Sequence, residues 1–429
     1  MNDDRMRADY RTLVLDDRVH GSLYVDEQVY AEEMDRIFTR GWVFVGHESE
    51  IPEPGDWVTR RLGREPVILV RDRNAAVQVL ANRCAHRGTA LCWEAKGHST
   101  TFQCTYHAWT YGLDGRLKGV PLPGGFHGDK DALGLDRPGQ VESYRGFVFA
   151  NVSGDAGPLS EHLGPGGTEL IDRLCDLSPT GRICLGRGWI GHRVESNWKM
   201  WPESDNDGYH LNWVHASMFR SAPDSYYTET VLGGEDSNRS LAVDRGNGHA
   251  ELDQRPSFTR ELAWLGATRE RVTSYCDALI AARGAALAER SLWDGPPHAM
   301  IFPNLFLGEM NIAIVEPLAA AQTVHRHTAV LLEGVDEAFN QRLLRTPKPR
   351  WDRPASSCPM TPSPRSACRP ASPGPAKARR RTAAAGSTSP RGLACEQRMD
   401  DGRLVGQISD ETTNRAFWRH YRDVMSAAP

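Results

Sequence analysis

Two short cysteine–histidine pairs constrain this chain more than any other feature. Cys84-Ala85-His86 is followed, after seventeen residues, by Cys104-Thr105-Tyr106-His107. The pattern C-x-H … C-x2-H puts one thiol and one imidazole on each of two loops. Such a set suits a [2Fe–2S] cluster of the Rieske type, in which two thiolates hold one iron and two neutral imidazoles the other. Zinc held by two cysteines and two histidines is the alternative. The short C-x-H pair and the strand-rich surroundings argue against a zinc finger. Cys92 lies outside the pattern and reads as structural, and His98 reads as a solvated loop histidine.

The chain around these loops reads as β. Residues 26–39 space Val29, Tyr30, Met34, Ile37 and Phe38 as an amphipathic helix. From Gly41 the pattern turns to short strands with Gly/Pro punctuation, continuing to residues 146–153. Residues 42–154 are therefore expected to form an all-β unit, with 1–41 before it and 155–429 after it. Gly154 to Gly167 reads as a Gly/Pro-rich surface segment and a boundary. Beyond it, residues 298–318 and 323–334 read as strands and 337–345 as a helix. Residues 409–425 read as a helix with a Ser/Asp cap and a Phe417/Tyr421/Met425 face.

Composition sets outer limits. A net charge of −4 implies no nucleic-acid or membrane partner. No apolar run is long enough for a membrane span, and the polar start MNDDRMRADYRTLV is unlike a secretory signal, so a cytoplasmic protein is expected. The 9 cysteines show no disulfide-like spacing. Cys175, Cys184 and Cys276 sit among apolar residues and read as buried small hydrophobes.

A second constellation follows. Asp207, His210 and His215 lie within one polar-aromatic run, SNWKMWPESDNDGYHLNWVHASM. Histidines five apart do not share a face of an ideal helix. They reach one metal only if the helix is distorted or ends between them. Asp207 is spaced to orient an imidazole from behind. Two histidines and a carboxylate with open positions form the facial triad of non-haem Fe(II) oxygenases. Alone, H-x4-H is a weak signal, as often structural as functional.

The whole chain resembles the α subunits of Rieske non-haem iron aromatic-ring-hydroxylating oxygenases. The residues that carry the resemblance are CAH (84–86), CTYHAWTYGLDG (104–115), NWK (197–199) and DGYHLNWVH (207–215). Ala108 and Ser204 stand where the family more usually has Gly and Asn. The resemblance implies an α+β fold: an all-β Rieske [2Fe–2S] domain, and a helix-grip-like catalytic domain with a large antiparallel sheet. It implies electrons from NAD(P)H through a reductase, often with a ferredoxin, to the cluster ligated by Cys84, His86, Cys104 and His107. It implies a mononuclear Fe(II) on His210 and His215, with Asp207 bridging His107 of one subunit to His210 of the next. The product would be a cis-diol of an aromatic or related apolar substrate, or a mono-hydroxylated or dealkylated one. Assembly as a trimer, with or without small β subunits, is also implied. By position, Met218, Phe219, Met300, Phe302 and Asn304 are candidates for the substrate pocket, with plain core packing as the alternative for each.

One expected part is missing. The family takes its third iron ligand from an acid in a context resembling G-P-A-G-F-x-x-P-D-D-x-E. Between Ile314 and Asp400 the acids are Glu316, Glu333, Asp336, Glu337, Asp352 and Glu396, and none has that context. Residues 346–391 instead hold 10 prolines and 10 Lys/Arg against one acid, while the remainder carries 41 basic and 54 acidic residues. The genetic code offers a reason. Joining the third base of each codon to two bases of the next, Trp351-Asp352 forces glycine and Met360-Thr361 forces aspartate. The intervening pairs permit G-P-A-[G/S]-F-x-M-P-D-D-A-E. Residues 386–389 permit Val-Asp-Leu in the same frame. About 345–391 thus reads as translated out of frame between compensating indels, with a genuine disordered insert as the alternative. The chain is then a terminal oxygenase of doubtful activity as written. Its alternatives are an electron-transfer Rieske protein or inactive remnant, and a zinc-binding structural protein.

Overall fold

A computed structural model describes residues 8–125, 129, 131–185, 188–216, 238–345, 386–388 and 390–427. Met218, Phe219 and most of the stretch at about 345–391 lie outside the described residues. The chain divides into two compact units. One comprises Met34–Glu161 with Cys184–Gly186, the other Met1–Glu33, His162–Ile183 and Arg187–Pro429. These divisions fall at 33/34 and 161/162, where the sequence placed boundaries at 41/42 and 154/155.

The smaller unit is built from short antiparallel strands. Val77–Ala81, Glu65–Arg71, Asp56–Leu62 and Lys96–His98 form a four-stranded sheet in that order. Gln140–Tyr144, Phe147–Asn151 and Val43–His47 form a second sheet, and Leu117–Gly119, Thr110–Tyr111 and Phe102–Gln103 a third. β-Branched and aromatic residues recur in the longer of these runs and pack well on a pleated surface. Trp57, Ile68, Val70, Leu80, Phe102 and Tyr111 make one core cluster that also contains Cys84 and Cys104. His98 is exposed as expected, but it ends a strand rather than sitting in a loop, with Nδ1 2.9 Å from Asp56 Oδ1.

Helix α1 (Glu27–Arg36) lies where its apolar spacing put it. Helix α2 (Leu159–Cys175) corrects the surface-segment expectation for Gly154–Gly167. Its first turns occupy the second half of that segment and bury Leu159 and Leu163. At Gly164, with φ +55° and ψ −175°, the backbone leaves the helical region, so the span is two helical segments joined at a kink, and Pro165 opens the second.

The larger unit is organised on a nine-stranded antiparallel sheet. Its order is Ile190–Val194, Gln322–Ala329, Asn311–Ala319, Leu305–Gly308, His298–Ile301, His249–Asp253, Leu241–Gly246, Leu404–Gln407 and Gln397–Arg398. Two short helices, α3 (Met200–Asp205) and α4 (Leu211–Val214), carry the polar-aromatic run. Trp201 of α3 lies over the sheet, its ring 4.3 Å from that of His325. Helices α5 (Thr273–Arg283), α6 (Ala285–Asp294) and α7 (Glu337–Arg345) follow. The C-terminal helix α8 (Thr412–Ser426) buries Phe417, Tyr421 and Met425 as its spacing requires. Its expected Ser/Asp cap is not made. Glu411 stands at the N-cap without a side-chain bond, because Asp410 Oδ2 accepts from the Gln407 N–H at 2.9 Å and Ser409 Oγ accepts from Arg391. Cys175 and Cys276 are buried, whereas Cys184 is half-buried. Among the described residues no helix is long and apolar enough to cross a membrane.

Candidate metal centres

The two cysteine–histidine loops of the smaller unit have the same backbone design. Cys84 N–H donates to Thr89 O and Gly88 N–H returns to Cys84 O, both at 2.8 Å. Cys104 N–H donates to Trp109 O at 2.8 Å and Ala108 N–H returns to Cys104 O at 2.9 Å. The fifth residue of each loop takes a left-handed conformation, Gly88 at φ +75° and Ala108 at φ +54°. Asn82 braces the first loop: its Oδ1 accepts the Leu91 and Cys92 N–H groups at 3.0 and 2.9 Å, and its Nδ2 donates to Cys92 O at 2.7 Å. Burial pushes the Cys92 thiol up to about 12, which keeps it inert and agrees with a structural role.

Both candidate ligand thiols are 2% exposed, while His86 is exposed and His107 half-buried. The imidazoles lie side by side, ring centroids 4.6 Å apart, with His86 stacked on Trp109 at 4.8 Å. Thiols inside and imidazoles outside fit a cluster with one iron toward the core and the other toward the surface. Sequence reasoning missed Tyr111. Its hydroxyl accepts the Ala85 N–H at 3.1 Å and lies 3.1 Å from Cys84 Sγ, placed to donate to the thiolate. Nothing in the spacing of ligands signals this residue, which enters through the pairing of its strand with Phe102–Gln103.

In the larger unit, helix α4 lies between the two histidines: His210 is its N-cap and His215 its C-cap. The turn therefore begins and ends between them, and their Nε2 atoms face each other at 3.1 Å. Asp207 Oδ2 is 3.2 Å from His210 Nδ1, and its Oδ1 accepts the Tyr209 N–H at 2.6 Å. The carboxylate thus fixes both the loop and the tautomer that leaves His210 Nε2 as an acceptor. Burial, and then His210, lowers His215 to about 4, so it is neutral and fit for ligation. Two imidazole acceptors facing at this spacing fit a shared cation. Gly208 lets the segment approach the chain, since a Cβ there would lie 2.2 Å from Ile408 O. Glu411 is a further group that sequence reasoning did not find. Its carboxyl is pushed up by burial and next by Asp207, which lies 204 residues earlier.

Among the described residues no group of three or more His, Cys, Asp or Glu is placed to hold one metal ion. Among them no carboxylate joins His210 and His215 as a third candidate ligand. Of the pocket candidates, Met300 is brought to this segment, its Sδ 3.5 Å from Asn206 Nδ2. Phe302 packs against Phe417 and His420 of α8, and Asn304 is buried with its carbonyl accepting Val315 N–H at 3.0 Å.

The family profile described as Rieske [2Fe-2S] domain matches residues 41–143, and that described as ring hydroxylating alpha subunit (catalytic domain) matches residues 183–353. The chain belongs to the Rieske non-haem iron ring-hydroxylating oxygenases. The 2-halobenzoate 1,2-dioxygenase large subunit of Burkholderia cepacia is 36% identical over 328 residues, covering 71% of this chain and 66% of that one. The N,N-dimethyl phenylurea N-demethylase subunit alpha of Sphingobium sp. (strain YBL2) is 39% identical over 245 residues, covering 55% and 50%. The chain thus spans about half to two-thirds of the length of the curated relatives it matches. Naphthalene 1,2-dioxygenase with indole bound has the same fold, with a TM-score of 0.80 at 24% identity, covering 98% of this chain and 95% of that one. The Rieske domain of the family carries a [2Fe–2S] cluster, and its catalytic domain binds mononuclear iron. The large antiparallel sheet of the α+β fold is the one expected.

Proposed function

We propose that this chain is the terminal oxygenase component of a multicomponent, cytoplasmic Rieske system that hydroxylates an aromatic or related apolar substrate with O2. The observation that carries the reading is the facing His210–His215 pair, oriented by Asp207, in a chain that also holds the Cys84/His86/Cys104/His107 loops. Residues 42–154 are read as the cluster domain, and the remainder as the catalytic domain. Cys84, His86, Cys104 and His107 would hold the cluster, and His210 and His215 the iron. Those groups, when bound, supply electrons and O2 activation respectively. The chain's own residues do the rest. Asp207 holds the His210 tautomer and, in a homotrimer with or without small β subunits, joins it to His107 of a neighbouring subunit. Met218, Phe219, Met300, Phe302 and Asn304 are assigned to the substrate pocket. Phe302 contributes through the packing of α8. A reductase, with or without a ferredoxin, passes electrons from NAD(P)H. Among the relatives, 2-halobenzoate and anthranilate dioxygenases are named for aromatic acids. An aromatic ring with cis-dihydroxylation is accordingly the first substrate class to assay.

The third iron ligand is assigned to the out-of-frame stretch at about 345–391. The chain as written then assembles its cluster, holds iron weakly on two histidines, and turns over slowly or not at all. The deciding experiment compares it with a chain whose stretch is restored to the shifted frame. Both are reconstituted with reductase and ferredoxin, and assayed for O2-dependent product and chelator-resistant iron. Gain of both on restoration supports the reading. Full turnover and tightly held mononuclear iron in the chain as written would refute it. A cluster without turnover in either form would favour an electron-transfer protein.

A further inference from the structure

The Asn197-Trp198-Lys199 stretch carries part of the family likeness, yet nothing in the proposed chemistry uses it. The side chains of Lys199 and Glu33 are both 0% exposed, with Nζ 2.5 Å from Glu33 Oε1. The same oxygen accepts the Tyr421 hydroxyl at 2.6 Å, and Glu33 Oε2 accepts the Trp198 Nε1–H at 2.8 Å. The ammonium also lies 5.3 to 5.9 Å from the ring centroids of Trp198, Tyr421 and Tyr24. One turn on, Glu203 Oε1 accepts the Tyr24 hydroxyl at 2.7 Å and the Trp418 Nε1–H at 2.8 Å. This buried cage joins three distant parts of the larger unit: the N-terminal segment, residues 198–203, and helix α8.

Burying charges is costly unless each is paired and hydrogen-bonded, and an apolar cluster of equal volume is commonly no less stable. Stability alone is thus a weak reason for such a cage. Direction is a better one, because charge-assisted bonds fix geometry as well as distance. Burial pushes Lys199 down against the pull of Glu33, and burial pushes Glu203 up. The cage therefore holds its polar groups by pairing and hydrogen bonds in place of water. It sits on the segment that leads into the candidate ligands. Helix α3 spans Met200–Asp205, Asn206 N–H closes on Pro202 O at 3.1 Å, and Asp207 comes next. Helix α4, with 4 residues, is too short to hold its own place.

We propose that Lys199, fixed by Glu33 and flanked by Glu203, is a positioning residue that sets the place of the His210/His215 pair through helix α3. The proposal rests on the reading of that pair as a metal site. The test uses the full-length chain with its cluster assembled, and Co(II) as the probe for the histidine pair. Two variants are compared with the unaltered chain: the charge-balanced Lys199→Met/Glu33→Gln, and the milder Tyr421→Phe, which deletes one bond to Glu33. Co(II) affinity and visible bands are read beside the melting temperature and the electron paramagnetic resonance of the cluster. The double variant should bind Co(II) at least about tenfold more weakly with altered bands, the cost typical of losing an outer partner of a ligand, and an unchanged cluster signal. Tyr421→Phe should move the same way by about threefold. Lower melting temperatures with unchanged Co(II) binding and bands would show a structural cage only, and overturn the proposal. Should the unaltered chain take up no Co(II), the metal-site reading fails, and crystal structures of the variants decide the cage by themselves. There the His210–His215 Nε2 separation should depart from 3.1 Å by more than about 0.5 Å. An unchanged separation overturns the proposal.

Discussion

His210 Nε2 lies 3.1 Å from His215 Nε2. Neither ring can be removed without leaving a lone imidazole at the centre. His210→Ala and His215→Ala should each cost more than the about 10- to 100-fold in metal affinity that follows loss of an outer partner. The visible spectrum of the cluster, held by residues of the other unit, should stay unchanged. Fe(II) titration of each purified variant, with the cluster absorbance as internal standard, checks both halves of this expectation.

Tyr111 should tune the cluster. Its hydroxyl is 3.1 Å from Cys84 Sγ, and a donor at a ligating sulfur stabilises the reduced, more negative state. Tyr111→Phe keeps the ring in the core and removes the donor. The reduction potential should fall, by about 60 mV if the bond favours the reduced form by a factor of ~10. Voltammetry of the two proteins decides it, and an equal or higher potential in the variant would contradict the assigned donor.

Ala108 occupies φ +54°, a region in which a Cβ is disfavoured by about 1–2 kcal/mol and glycine is not. Ala108→Gly should therefore stabilise the cluster unit, by about 1 kcal/mol once the added freedom of the unfolded chain is offset. Denaturant unfolding followed through the cluster absorbance measures it. A loss of stability would mean that the methyl group makes a packing contact worth more than the strain.

Three histidines, His249 buried and His162 and His420 half-buried, make the larger unit acid-sensitive. Burial lowers His162 to about 3 and His249 and His420 to about 4, against an ordinary value of 6.5. Their folded values lie below the unfolded one, so the unfolded chain binds more protons between about 4 and 6.5. They cost nothing above that window, and stability falls as the pH drops through it. His420→Gln should flatten the slope of unfolding free energy against pH by up to one proton, about 1.4 kcal/mol per pH unit. Urea unfolding at a series of pH values reads the slope directly.

The sequence made the candidate ligand sets stand out for a chemical reason: thiols and imidazoles in fixed short spacings have few other uses. The strands around them were legible because their apolar runs are bounded by glycine and proline. What it hid are contacts made across long stretches of chain. Tyr111 reaches Cys84 through strand pairing, Glu411 comes near Asp207 from the start of α8, and Glu33 meets Lys199 across 166 residues. The helical segments inside Gly154–Gly167 were missed because glycine and proline usually mark loops, whereas here Gly164 and Pro165 make only a kink between two short helical segments. The cap of α8 was missed because Asp410 and Ser409 are engaged in the turn before it.

Helix α4 is four residues long with a histidine at each end. A single turn of that length is well below what persists in water unaided. A metal bridging its two ends would close the turn as a clasp closes a bracelet, so local order and metal occupancy become one equilibrium. Supplying the third ligand would then do more than complete a coordination sphere. It would raise the cost of opening this turn, and the lifetime of the folded catalytic segment would become a measure of how much iron the cell provides.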